Sequence, residues 1–106
     1  MDGLVQRLSE GNHPVSVGAA KPSPEEFKRC IENIEYVFLK FTETEGGTDL
    51  GVQVDESATD LSQAHFDQCT GIVHVEGTLT LNYVKVRCIA DIDLQTLNGT
   101  GHLVAQ

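Results

Sequence analysis

With 106 residues, 40% of them apolar and 6% aromatic, the chain can build one hydrophobic core but not two. Sixteen acidic residues against seven basic ones give a formal net charge of −9, which argues against direct contact with a phosphate backbone. No run approaches the roughly 20 apolar residues that cross a bilayer.

Residues 1–18 hold no apolar signal core, and Asp2 and Glu10 interrupt their few hydrophobic side chains. Cys30, Cys69 and Cys88 are odd in number and widely spaced, unlike a disulfide framework. Both features lead us to expect a cytoplasmic protein.

Residues 1–22 read as an irregular N-terminal arm and 23–106 as a single α+β domain. Within the arm, Leu4, Val5 and Leu8 suit a short amphipathic turn, and the alternation of Val15 and Val17 suits an edge strand. Ser23-Pro24-Glu25-Glu26 is a helix start. Serine stands at the N-cap, proline at the first helical position, and Glu26 where a capping box needs it. Phe27, Cys30, Ile31 and Ile34 follow at i, i+3, i+4 and i+7, the apolar stripe of the main helix.

The period then changes to two. Val37, Leu39 and Phe41 share one face of a strand, with Tyr36, Phe38 and Lys40 on the other. Gly46-Gly47 provides a turn, and Leu50, Val52 and Val54 return opposite Phe41 and Leu39. The link 55–70 is expected to hold a short helix over 61–68, capped by Thr59 or Asp60, with Gln63 where a capping-box partner of Asp60 would sit.

Residues 71–106 read as a three-stranded meander. Apolar or small residues occupy odd positions from Val73 to Leu81 and even positions from Val84 to Leu94. A two-residue turn at Asn82-Tyr83 accounts for the change of phase and pairs Leu81 with Val84 and Leu79 with Val86. The same register sets His74 opposite Asp91 and Arg87 diagonal to Glu76. Asn98-Gly99 is a strong hairpin signal and would set Leu94 opposite Leu103. The expected architecture is α+β: a curved antiparallel sheet of about five strands, formed by two hairpins and a meander, packed on one main N-terminal helix. A small closed barrel is the alternative.

Candidates for chemistry are sparse. His65, Asp67, Cys69 and His74 are metal-ligand types, but their spacing fits no zinc module, so no metal and no cofactor are assigned. No nucleophile elbow or phosphate-cradling loop is present. The composition points to a small, acidic, non-catalytic protein-binding module of the inhibitor, immunity or accessory type. It is expected to bind another protein or itself as a homodimer, through Tyr36, Phe38 and Ile89. The alternative is a small-molecule-binding cup of isomerase, cyclase or lyase type, with Tyr36, His65, Asp91 and Asp93 as ligand-binding residues.

Overall fold

The computed structural model describes residues 3–18, 23–42, 47–81 and 83–105. Two short helices, α1 (Gly3–Ser9) and α2 (Pro24–Arg29), accompany seven strands. The strands are β1 (His13–Val17), β2 (Tyr36–Phe41), β3 (Thr48–Val54), β4 (Ala64–His65), β5 (Thr70–Leu81), β6 (Val84–Asp93) and β7 (Asn98–Ala105). Residues 1–2, 19–22, Gly46, Asn82 and the side chain of Leu4, to which some of the sequence expectations refer, lie outside the described residues.

The sheet closes on itself. Antiparallel pairings run β1–β2–β3–β5–β6–β7 and back to β1, a barrel of six strands, with β4 added outside β5. This corrects the α+β expectation, in which an open sheet rested on a main helix. The inward face of a closed sheet is covered by the opposite wall, so no long helix is required. Val37, Leu39, Val52, Val73, Val75, Val86, Ala90, Ile92 and Leu103 alternate inward and are buried.

Closure depends on β1. Its residues pair with Leu39–Phe41 of β2 on one side and with Asn98–Gly101 of β7 on the other, so it is an interior strand and not an edge. Preceding it, α1 packs against β7 and buries Val5 and Leu8.

The main helix is shorter than its apolar stripe. Ser23 caps α2 as expected, its Oγ accepting the Glu26 N–H at 3.1 Å. The chain then widens into a π-helical turn over Cys30–Ile34, in which the Glu35 N–H reaches back to the Cys30 carbonyl. A π turn holds more residues than an α turn, so Ile34 rotates away from the buried Phe27 and Ile31 and is 49% exposed. Glu35, at φ 59°, ends the helix and starts β2.

The β5–β6 register agrees with the sequence expectation, with Leu79 facing Val86, Leu81 facing Val84 and His74 facing Asp91. In the β2–β3 hairpin, Leu39 faces Leu50, Val37 faces Val52, and Phe41 faces Thr48. No helix forms over 61–68. Asp60 spends its carboxylate on the Ser62 N–H, an Asx turn, and exchanges two backbone hydrogen bonds with His74. Lys28 lies 5.7 Å from the Phe66 ring centroid, tying this link to α2.

The last hairpin is also corrected. Its turn is Leu94–Leu97, with the Leu97 N–H bonded to the Asp93 carbonyl at 2.7 Å and Leu97 at φ 60°. Asn98-Gly99 therefore belongs to β7, and Leu103 faces Cys88 in place of Leu94. Gly99 is there for close approach. A Cβ at this position would collide with the Asp91 carbonyl of β6.

Candidate protein-binding surface

β3 and β5 touch only at Gln53↔Thr78 and Val54↔Gly77. Toward residue 48 of β3 and residue 81 of β5, each strand pairs only with its own hairpin partner among the described strands. The gap between the hairpins is an open cleft of about 600 Å³ lined by Tyr36, Gly51, Gln53, Thr78, Leu79, Thr80, Lys85 and Val86. It is bounded by strand edges whose backbone groups no neighbouring strand occupies.

Tyr36 forms one wall. It points outward from β2 and leans diagonally toward Gly51, where a Cβ would collide with its hydroxyl. Phe38 stacks edge-on against it, ring centroids 5.3 Å apart at 79°. On the other side of Tyr36 lies a second groove of about 570 Å³, lined by Gly18, Glu26, Arg29, Cys30, Ile34, Phe38 and Asp49. Tyr36 and Phe38 are 40% and 50% exposed, so with Ile34 they form an apolar ridge between two depressions.

The other residues singled out from the sequence lie elsewhere. Ile89 points outward from β6 and lines neither of the two grooves that Tyr36 borders, although Lys85 and Val86 of the same strand line the first. His65 is exposed on β4, apart from both clefts that Tyr36 lines. Asp91 is engaged with His74, and Asp93 accepts the Gln95 N–H in the following turn. The proposed ligand set is thus spread over three strands. Among the described residues, no group of three His, Cys, Asp or Glu is placed to hold a metal ion.

A polar network crosses the outer face of β5 and β6. His74 Nδ1 lies 2.7 Å from Asp91 Oδ1, and its Nε2 lies 2.6 Å from Glu76 Oε2. Arg87 donates to Glu76 at 3.0 Å and to Asp55 at 2.9 Å. Hydrogen bonding to Glu76, then to Asp91, raises the His74 pKa. The bond to His74 is the leading cause that lowers the Glu76 pKa.

Gly51, Gln53, Thr78, Thr80 and Lys85 were not legible as site residues in the sequence. One signal was available: Gly51 sits between Leu50 and Val52 in a strand, where glycine marks a close approach.

A family model described as core binding factor beta subunit matches residues 2–106. The chain belongs to the core binding factor beta subunit family. A search of curated proteins found no match. Membership in this family supports a small protein-binding domain whose partner is another protein. Its antiparallel barrel displays the Tyr36 ridge and the β3–β5 cleft on one wall.

Proposed function

We propose that the protein is the non-catalytic subunit of a heterodimeric transcription factor and docks its partner on the β2–β3–β5 wall. The observation that carries this reading is the outward Tyr36, seated between clefts of about 600 and 570 Å³. Exposed aromatics beside depressions are the usual anchors of protein interfaces, and free strand edges can accept an extended segment of a partner.

Charge supports a heterotypic partner. Two copies at −9 repel each other, so self-association through this wall works against the net charge, while a basic partner is attracted. The same charge supports a subunit that leaves DNA contact to its partner. Inhibitor or immunity roles draw no support from the family. In this reading Tyr36 and Phe38 remain interface residues, and Ile89 does not join them.

The test is native mass spectrometry of tagged protein recovered from its own host, with Tyr36→Asp compared to wild type and to Ile72→Asp, a control at an exposed residue of β5 that lines neither groove. Wild type and Ile72→Asp should carry a second polypeptide in a one-to-one complex, and Tyr36→Asp should lose it. A homodimer mass, or equal binding by all three, would refute the assignment.

A further inference from the structure

The β3–β5 seam that closes the barrel has only two residue pairs, but the chain beyond it is fastened by side chains. The Asp55 N–H donates to the Glu76 carbonyl at 2.8 Å, and Thr59 Oγ1 lies 3.3 Å from both the Glu76 carbonyl and its N–H nitrogen. Arg87 bridges Asp55 to Glu76. Asp60 and His74 exchange backbone hydrogen bonds at 2.8 and 3.1 Å. The His74 ring lies beside this set, with Glu76 of its own strand at one ring nitrogen and Asp91 of β6 at the other.

A neutral imidazole has one N–H. It can donate to Glu76 or to Asp91, and its second nitrogen then presents a lone pair to the other carboxylate. Only the imidazolium satisfies both contacts. The geometry is that of a bound cation whose charge is removable near neutral pH.

We propose that His74 is a proton-operated clasp on β5 beside the seam that closes the barrel, holding Glu76 of its own strand and Asp91 of β6 when charged and releasing one of them when neutral. The charged groups around it are Glu76 on its own strand, Asp91 from β6 and Asp60 from the link between β3 and β4; Arg87 of β6 holds the far oxygen of Glu76. With the proton lost, three carboxylates remain beside an uncharged ring, and among the described residues Arg87 is the cation left in the cluster. Glu76 then keeps its bond to Arg87, while the Asp60 carboxylate loses the attraction of the His74 charge, which weakens the backbone pairing of Asp60 with His74.

The pH window follows from the two shifts. The raised His74 pKa contributes stability that is complete below its ordinary value and lost as pH rises through the folded value. The lowered Glu76 pKa contributes stability present above its ordinary value and lost as pH falls through the folded one. The clasp is therefore tightest in the mildly acidic interval between them. The seam borders the Tyr36 cleft through Gln53 and Thr78, so its loosening would widen that cleft; this consequence alone rests on the binding reading above.

The clasp is tested by NMR on the isolated full chain. The His74 ring is titrated from about pH 6 to about pH 8.5, across the range where histidine changes charge. Amide exchange at Asp55, Asp60 and His74 is followed in parallel and corrected for intrinsic rates. Protection at Asp60 and His74 should fall several-fold with the midpoint of the ring titration, while Leu39 and Leu50 stay constant. His74→Gln should hold the lower protection at every pH. Protection that ignores the ring titration, or that falls equally in His74→Gln, would overturn the clasp. Loss of partner binding in Tyr36→Asp leaves it unaffected.

Discussion

The hydroxyl of Tyr36 occupies the space above Gly51 that a side chain there would fill. The two residues lie diagonally across β2 and β3, so the ring covers bare backbone and forms a wall of the cleft. Gly51→Val should push the ring off this position without removing any core side chain. We expect a stable fold and partner binding weakened by about tenfold or more, the range of a lost interface anchor. Calorimetric melting beside a binding titration separates the two effects.

Gly99 is constrained by backbone, not by a movable side chain. A Cβ at this position would collide with the Asp91 carbonyl and come within 3.0 Å of Ile92 Cα. Gly99→Ala should force β6 and β7 apart and destabilise the fold by about 1–3 kcal/mol, the usual cost of overpacking. A fall in Tm of several degrees checks it, and an unchanged Tm would contradict the β6–β7 register.

Ser23 caps α2 through its bond to the Glu26 N–H. Ser23→Ala should cost about 1 kcal/mol and Ser23→Gly a few tenths. Denaturant melts of both variants give the comparison, and equal losses would remove the cap from the account.

Cys88 and Cys69 should differ sharply as thiols. Burial pushes the Cys88 pKa up to about 12, whereas Cys69 is exposed. In the native protein a disulfide reagent at mildly alkaline pH should modify Cys69 first and reach Cys88 only on unfolding. A raised folded pKa means stability complete below the ordinary value of 9.0 and lost as pH rises toward about 12. Alkaline melts of wild type against Cys88→Ala measure that loss, and parallel curves would show that Cys88 does not cause it.

The β5–β6 register was readable because its evidence is local. A shift of apolar residues from odd to even positions can be reconciled only by a two-residue turn, so Leu79 meets Val86 and His74 meets Asp91. The Ser23 cap was readable for the same reason, its signal lying within four residues. The helix was overread beyond Arg29, because an apolar stripe has the same spacing whether or not the turn widens at Cys30.

The candidate site was half legible. Outward aromatic side chains at Tyr36 and Phe38 are visible in the two-residue period, but their company is not. Ile89 has the same outward phase and the same apolar character, yet it lines neither groove beside Tyr36. Alternation tells which residues leave the core and says nothing about which strands become neighbours.

Local pattern carries the strand periods, the cap of α2, the β5–β6 pairing and the acidic charge that favours a protein partner. That β1 lies between β2 and β7, that Asn98-Gly99 enters a strand and that the sheet closes follow only from long-range pairings. An open curved sheet and a closed barrel bury the same alternating face. The choice between them rests on pairings such as Val15↔Gly99, which join residues far apart in the chain and leave no local trace.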